Sequence, residues 1–388
     1  MKISKLARVG LIAVTAASVA LAPSAFAAST ITGSGATSVG NIISNCKTYY
    51  ATDTGDTFNY GLGGSGQGQK DMEAGKVDMA FSDSKHLTSQ SGTAINSSEI
   101  HIPAFVWPIG IMVNLNYSKP IALSPKTLGG IFSGKITRWN DAAILADNNR
   151  TYSVTVYKKL NGQIVKDAKG NPVVLKTNQV TTRVTLPDQP ITVIYRADGS
   201  GTTDNLRAAL AVWDKDNWGT STGNNFAATA AGKAAIAGNP IRFVGKSGSS
   251  AVALEASKTK YSITYAEVNY AAPVGLKVAN IVNKNGDLVT PTDDSVAGFV
   301  STAKLEANGT VTLDYLNPNA GVYPLTVVTY ALALTNYGDT TKAAAVKKLI
   351  EYHAFTCPTK VANSGFITIP SASPLGKVIA SQLAKLGK

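Results

Sequence analysis

Short apolar runs alternate along this chain with stretches whose apolar positions recur every three or four residues. The runs at 76–81, 103–115 and 191–195 have the length and composition of buried strands. Helical spacing is clearest from Ser38 onward, and it returns at 342–353. This alternation predicts an α/β protein.

Residues 151–187 interrupt the alternation. Their β-prone runs are separated by turn sequences at 161–162 and 169–172, which predicts one or two hairpins inserted in the second domain. Two interpretations stay open: a partner-binding arm, or a solvated sheet edge that lysines protect from pairing. The lysines are Lys158, Lys159, Lys166, Lys169 and Lys176.

The first 27 residues have the features of a secretory signal rather than of a folded segment. Lys2, Lys5 and Arg8 precede an apolar stretch that is too short to span a bilayer, and 25–27 offers a small-residue cleavage site. No cysteine follows the cleavage point, so a lipid anchor is not expected. We expect a soluble protein, periplasmic or extracellular, with enough chain for two domains.

The full chain has a net charge of +12 at pH 7. Its lysines and arginines are dispersed, and no basic run interleaves with aromatic residues, which argues against nucleic-acid binding. A basic surface would favour anionic ligands or envelope polymers, but a solvated, mildly basic surface is the simpler explanation of the composition.

The cysteines and histidines are few. Cys46 and Cys357 form an isolated pair, which in an exported protein is a candidate disulfide, with two buried free thiols as the alternative. His86, His101 and His353 lack metal-ligand spacing to a cysteine or an acid. We therefore expect neither a metal nor a cofactor.

Four short turns rich in glycine, serine and threonine are predicted to open helices. Glycine lets a backbone approach a ligand closely, and a helix N-terminus presents N–H groups and the positive end of a dipole. One such turn is explained by ordinary helix capping, but several in one chain favour a shared oxyanion site. They lie at 32–38 (TGSGATS), 61–66 (GLGGSG), 80–83 (AFSD) and 196–202 (RADGSGT).

Charged residues in these turns indicate which oxyanion the site would bind. The planar fork of Arg196 suits a tetrahedral oxyanion, and Asp198 could pair with it and hold its orientation. Asp83, otherwise a candidate helix N-cap, would accept a hydrogen bond from a protonated oxygen. Phosphate carries such a proton and fully ionised sulfate does not, so the pattern favours phosphate.

Catalytic motifs are weak in this chain. GTSTG at 219–223 matches the string of a nucleophile elbow around Ser221, but no hydrophobic strand precedes it. GKS at 245–247 does not complete a P-loop, because Pro240 stands where the first glycine is needed. We expect no enzymatic activity.

At these residues the chain resembles the phosphate-binding proteins of bacterial ABC phosphate importers (PstS-type). The resemblance covers most of the mature chain and is interrupted by 151–187. Its most specific part is 196–202, followed by 32–37 and 82–83, with support at 127–141 and 323–326.

The resemblance implies a two-lobed, type II periplasmic-binding fold whose lobes close by a hinge over one phosphate. Lobe I would comprise 28–108 and 290–388, and lobe II would comprise 109–289 with the inserted β-hairpin region. The implied contacts leave open whether Gly64 or Ser65 touches the ligand, and they make Asp198 the partner of Arg196. The residues that the resemblance implies as phosphate contacts are Thr37, Ser38, Gly64, Ser65, Asp83, Arg196, Ser200, Gly201 and Thr202.

The function implied by the resemblance is capture of inorganic phosphate by a monomer and its delivery to the membrane permease of an ABC importer. Two alternatives remain. One is a secreted phosphatase-like enzyme on the same fold, and the other is an attachment or sensing protein that uses the lysine-rich insertion.

Overall fold

The computed structural model describes residues 28–117, 119–361 and 365–387, so the predicted secretory signal lies outside the described residues. The strands are β1 (Thr30–Gly35), β2 (Thr57–Gly61), β3 (Met79–Ser82), β4 (Glu99–Val113), β5 (Ala122–Leu123), β6 (Thr151–Tyr157), β7 (Lys159–Leu160), β8 (Gln163–Ile164), β9 (Val174–Thr181), β10 (Thr192–Arg196), β11 (Phe243–Lys246), β12 (Ser262–Glu267), β13 (Lys277–Val278), β14 (Asn280–Val282), β15 (Leu288–Val289), β16 (Lys304–Leu305), β17 (Val311–Thr312) and β18 (Thr326–Leu334).

Helices alternate with these strands, as the sequence predicts for an α/β protein. They are α1 (Gly40–Thr54), α2 (Ser65–Glu73), α3 (Pro125–Phe132), α4 (Ala142–Asn148), α5 (Gly201–Trp213), α6 (Lys215–Trp218), α7 (Ala230–Gly238), α8 (Ser249–Lys258), α9 (Asp293–Val300), α10 (Thr340–Glu351), α11 (Cys357–Lys360) and α12 (Pro374–Leu383). No helix in the described part of the chain is both long and apolar enough to cross a membrane.

A nine-stranded sheet organises the molecule, with the order β11-β10-β12-β4-β18-β3-β1-β2 and with β13 paired to β4. Strands β1, β2 and β3 pair in parallel, and so do β10, β11 and β12. We call these two groups the first half and the second half. Each group has parallel strands joined by helices, which is the usual βαβ arrangement.

Strand β4 joins the two halves. Residues 99–108 pair antiparallel with β18 in the first half, and 109–113 pair antiparallel with β12 in the second half. From His101 to Val113 every residue of β4 is buried. This burial on both faces explains why the sequence shows a continuous apolar run there and no alternation.

The carboxyl ends of the parallel strands in both halves carry the turns that the sequence singled out. β1 leads to Thr37 and Ser38, β3 leads to Asp83, and β10 ends at Arg196. In open α/β sheets, ligands bind beside the carboxyl ends of the strands. In both halves, therefore, the predicted oxyanion turns lie beside the carboxyl ends of the parallel strands.

The helix predicted from Ser38 is confirmed as α1, although it begins at Gly40, and the Ser38 hydroxyl donates to Asp83 and does not cap the helix. The prediction of a helix after Asp83 is wrong. No helix follows Asp83 within residues 84–98. The Glu73 carboxylate instead accepts the backbone N–H groups of Gln90 and Ser91 at 2.6 and 2.9 Å, which holds this segment as an irregular loop.

The insertion at 151–187 forms a β6–β9 ribbon and a short β7–β8 hairpin. One side of the ribbon packs on the body, where the Tyr157 hydroxyl donates to the Ala320 carbonyl at 2.5 Å. Every residue of β9 is exposed. The insertion thus presents a strand with one unpaired edge at the surface.

A disulfide joins Cys46 of α1 to Cys357 of α11, with a Cα–Cα distance of 5.9 Å. Both cysteines are fully buried. The link ties the first helix of the described chain to its C-terminal segment across 311 positions of sequence.

Candidate functional site

The structure brings the predicted site residues of both halves together in one cleft. All of them are buried except Asp198, which is partly exposed. Thr37, Ser38, Gly64, Ser65 and Asp83 come from the first half. The second half contributes Arg196, Asp198, Ser200, Gly201 and Thr202.

Arg196 is held in a fixed orientation inside this cleft. Its Nε and Nη2 donate to the two carboxylate oxygens of Asp198 at 2.7 and 2.5 Å, and its Nη1 lies 3.1 Å from Ser249 Oγ. The backbone N–H of Gly248 adds a hydrogen bond to Asp198 at 3.1 Å. Burial opposes ionisation of Asp198, but the bonds and charge of Arg196 hold its pKa below the usual range. The pair therefore keeps a planar guanidinium preorganised in the cleft.

Asp83 carries the acceptor that the sequence predicted. Ser38 Oγ and Thr329 Oγ1 both donate to its Oδ1, at 2.8 and 2.5 Å. None of the hydrogen bonds formed by the described residues ends on Oδ2, so that oxygen can accept from a bound molecule. Burial and the nearby Glu267 carboxylate raise the pKa of Asp83 to about 7.

Two hydroxyls keep their protons available for an anion. Ser65 Oγ accepts the backbone N–H of Asp83 at 3.1 Å, and Ser200 Oγ accepts that of Thr203 at 3.1 Å as the N-cap of α5. Because each oxygen accepts in these bonds, its proton can still be donated. Gly201 and Thr202 lie in the first turn of α5, whose N–H groups have no partner within the helix.

The glycines of these turns allow the two halves to meet. Gly64 has φ +88°, and a Cβ there would lie 2.5 Å from Asp198 Oδ2. A Cβ on Gly201 would lie 2.5 Å from that of Asp83 and 2.7 Å from Ser65 Oγ. Both positions therefore require glycine for the close approach. In the turn at 61–66, Ser65 provides the side-chain hydroxyl, and the missing side chain of Gly64 leaves space for Asp198.

Direct contacts across the cleft show that the two halves are closed on each other. The Ser249 N–H donates to Thr37 Oγ1 at 3.0 Å, and the Gly66 N–H donates to the Gly199 carbonyl at 2.9 Å. Further bonds cross the cleft nearby. They join Tyr270 to Thr37 (2.7 Å), Asn205 to Asp83 (2.8 Å) and Asn224 to Gln90 (3.0 Å).

Three buried residues of the cleft were missed from the sequence: Ser249, Glu267 and Thr329. Ser249 follows Gly248, which has φ +89° and precedes α8, so this is a fifth turn of the predicted type. The glycine–serine pair at 248–249 is the sequence signal of this turn, and it directly follows the GKS at 245–247 that resembles the end of a P-loop. Glu267 ends β12 and Thr329 lies within β18, and no local motif distinguishes them from the other residues of these buried strands.

Glu267 lies at the end of β12 and is completely buried. Thr202 Oγ1 donates to its Oε1 at 2.7 Å and lies 3.5 Å from Arg196 Nη1. Among the residues that the structure describes, the cleft therefore contains the carboxylates of Asp83, Asp198 and Glu267 and the guanidinium of Arg196. No cluster of histidine, cysteine or acidic residues suited to a metal ion occurs in the described residues.

Comparison with known proteins gives a family match and a consistent set of relatives. The model of the PBP superfamily domain matches residues 20–354. Phosphate-binding protein PstS 3 of Mycobacterium tuberculosis is 29% identical over 351 residues, which cover 88% of this chain and 83% of the relative. Phosphate-binding protein PstS of Haemophilus influenzae is 29% identical over 318 residues, covering 80% of each chain.

Solved structures agree on the fold. A high-affinity periplasmic phosphate-binding protein (PfluDING) with bound phosphate superposes with a TM-score of 0.65 at 21% identity, covering 92% of this chain and 93% of that one. A phosphate-binding protein from Stenotrophomonas maltophilia gives 0.60 at 20% identity, covering 90% and 93%. The two-lobed α/β fold and the family resemblance predicted from the sequence are thereby confirmed.

Proposed function

The chain belongs to the PBP superfamily, and we propose that it is an exported, monomeric phosphate-binding protein that delivers its ligand to the permease of an ABC importer. The proposal rests on its relatives in the PstS group and on the contents of the cleft. It assigns phosphate contact to the nine predicted residues from Thr37 to Thr202, with Asp198 orienting Arg196. Ser249 lies close enough to Arg196 to be added to the set.

One observation carries the choice of ligand. The cleft presents hydrogen-bond donors from Ser65, Ser200, Arg196 and the first turn of α5. An acceptor lies among these donors, because Oδ2 of Asp83 is free while Oδ1 already accepts two hydrogen bonds. An oxyanion with a P–OH group satisfies all of these groups at once. A sulfate ion would leave the buried carboxylate without a donor and facing like charge, which is a large penalty in a closed cleft.

Isothermal titration of the purified mature chain tests this assignment. Phosphate is expected to bind at one site per chain, and sulfate at the same concentration is expected to give no binding heat. A matched pair of variants locates the site: Arg196→Gln should lose phosphate binding, whereas Arg242→Gln, on the loop before β11, should retain it. Absence of phosphate binding by the unaltered chain would refute the proposal.

We assign lobe I to 28–108 and 290–388 and lobe II to 109–289, and we propose that they open and close about β4. The change of partner along β4, from β18 to β12 after Pro108, supports this division. Small-angle scattering should show a smaller radius of gyration with phosphate than without it. An unchanged radius would contradict ligand-driven closure.

A phosphatase-like activity on the same fold is tested with a chromogenic phosphate ester. The histidines of the chain are engaged elsewhere: His86 with Glu73 and Glu99, His101 with the N–H of His86, and His353 with the Leu349 carbonyl. None of them contacts a cleft hydroxyl. Turnover that Asp83→Asn abolishes would favour the enzyme.

Attachment or sensing through the insertion remains a second candidate, because β9 is exposed throughout and Leu160 and Leu175 are 69% and 61% exposed. Replacing 158–176 by a short Gly-Ser linker would test it. Lost association with cell envelopes, at unchanged phosphate affinity, would support an attachment role. Unchanged association with cell envelopes would rule out the attachment role.

A further inference from the structure

Asn205 joins the two sides of the cleft through both ends of its side-chain amide. It lies in the second turn of α5, and its Nδ2 donates to the carbonyl oxygens of Asp83 and Gly201, each at 2.8 Å. Its Oδ1 accepts from the Tyr315 hydroxyl at 2.9 Å. An amide nitrogen carries two N–H groups, and here both of them are used on protein carbonyls. Asn205 is therefore outside the set of groups that can donate to a bound anion.

Tyr315 belongs to the opposite side of the cleft from α5, because its segment is attached to β18. The Tyr330 hydroxyl of β18 accepts from the Val311 N–H at 3.0 Å and lies 3.3 Å from the Val311 carbonyl oxygen. The Tyr315 carbonyl in turn accepts from the indole N–H of Trp213, the last residue of α5, at 2.8 Å. Helix α5 is thus bonded across the cleft at Asn205 and again at Trp213.

The two carbonyls that Asn205 binds belong to the groups proposed to hold the anion. Asp83 carries the open carboxylate oxygen on its side chain, and Gly201 begins the first turn of α5, which presents backbone N–H groups. One side chain therefore fixes the spacing between the acceptor on one side of the cleft and the donors on the other. Such spacing matters because hydrogen bonds weaken quickly when their geometry is lost.

Water has access to this contact. A cavity of about 250 Å³ lies beside it, lined by Asp83, Asn205 and Tyr315 together with Lys85 and Asp204. A water molecule occupies about 30 Å³ in the liquid, so the cavity is large enough for several. Water can replace the protein partners of these bonds at a small net cost, which suits a contact that has to open and close repeatedly.

We propose that Asn205 is a positioning residue that, with Tyr315, latches the closed cleft and sets the rate at which phosphate leaves. This inference rests on the proposed phosphate-binding function. The latch bonds protein to protein, so it stabilises the closed form equally for every anion that the cleft accepts. It forms only after the ligand has entered the open cleft. The dissociation rate therefore depends on Asn205, whereas the association rate and the preference among anions do not.

Stopped-flow tryptophan fluorescence of the purified mature chain measures the association and dissociation rate constants of phosphate. Asn205→Ala should raise the dissociation rate constant about tenfold, the effect expected from losing two hydrogen bonds across the cleft. The association rate constant should change by less than about twofold, since interface changes act mainly on dissociation. Arsenate, as a second tetrahedral anion, should dissociate faster by the same factor as phosphate.

Asn114→Ala is the matched control. The Asn114 Nδ2 also donates to backbone carbonyls, those of Ala256, Ser257 and Thr259, at 2.9, 2.9 and 3.0 Å, but all of these lie within the second half. This variant should lower the thermal stability of the chain and leave both rate constants of phosphate unchanged. A purely structural role of Asn205 would give the same result as Asn114→Ala.

Tyr315→Phe removes one hydroxyl and keeps the ring, so it decides the question even where Asn205→Ala does not fold. It should also speed dissociation of phosphate, and the double variant should dissociate no faster than Asn205→Ala, because both changes break the same contact. The inference is overturned if Tyr315→Phe and Asn205→Ala dissociate phosphate as slowly as the unaltered chain, if their effects add, or if Asn205→Ala alters the preference between phosphate and arsenate. A chain that binds no phosphate would instead refute the proposed function.

Discussion

Replacing Asp83 by asparagine turns the open acceptor at its Oδ2 position into a donor. The amide oxygen can take the position of Oδ1 and still accept from Ser38 and Thr329, so the fold around it should persist. The amide nitrogen then occupies the position of Oδ2 and presents a donor. Phosphate then loses the acceptor for its P–OH group, whereas sulfate gains a hydrogen-bond donor.

The size of the effect follows from the environment of Asp83, which is 4% exposed. A hydrogen bond to a charged group contributes about 1.5–3 kcal/mol, which corresponds to a loss of about tenfold to a hundredfold in phosphate affinity. Competition calorimetry with phosphate and sulfate would give both affinities. Asp78→Asn, at the other end of β3 and paired with Lys342, serves as the control. If Asp83→Asn left phosphate affinity and sulfate rejection as they are, the acceptor role would be refuted.

The same variant also tests how the stability of the ligand-free protein depends on pH. The folded-state pKa of Asp83, about 7, lies above its unfolded value, so the folded chain binds the proton more tightly. The stability of the ligand-free protein should therefore decrease as the pH rises from about 4 to about 7. Thermal unfolding of Asp83→Asn should lack this part of the pH dependence. An equally steep profile in the variant would show that other groups cause it.

Three further outcomes are expected. Replacing Cys46 and Cys357 by serine should lower the unfolding free energy by about 3–5 kcal/mol, because the disulfide closes a very long loop, and chemical denaturation would measure it. Gly64→Ala should weaken phosphate binding by at least about tenfold by obstructing closure, whereas Gly55→Ala, with similar φ and open space, should not. Burial opposes protonation of His86, but hydrogen bonds from its ring N–H groups to Glu99 and Glu73 raise its pKa. The contribution of His86 to stability should be present at acidic pH and lost as the pH rises through that pKa, so His86→Gln should unfold with a flatter pH profile.

Local chemistry explains what the sequence could predict. Ser200 and Ser373 are N-cap residues, and each hydroxyl oxygen accepts a hydrogen bond from the backbone N–H three residues later. Such short-range bonds leave a recognisable pattern in the sequence. The strands that carry Asp83 and Arg196 were likewise recognisable from apolar runs. The loop after Asp83 was not, because Glu73 organises it from outside the local segment.

The acceptor geometry at Asp83 depends on contacts that no local pattern contains. Thr329 Oγ1 reaches Oδ1 from a position 246 residues away in sequence, because β18 runs antiparallel between β3 and β4. Glu267 comes near the same carboxylate only because β12 pairs with the distal part of β4 and the halves are closed. The turns of the chain thus encode the donors of the cleft, whereas the topology of the sheet decides which oxygen of Asp83 remains open. Selectivity among oxyanions should accordingly be more sensitive to changes at Thr329 and Glu267 than the glycine-rich motifs alone would suggest.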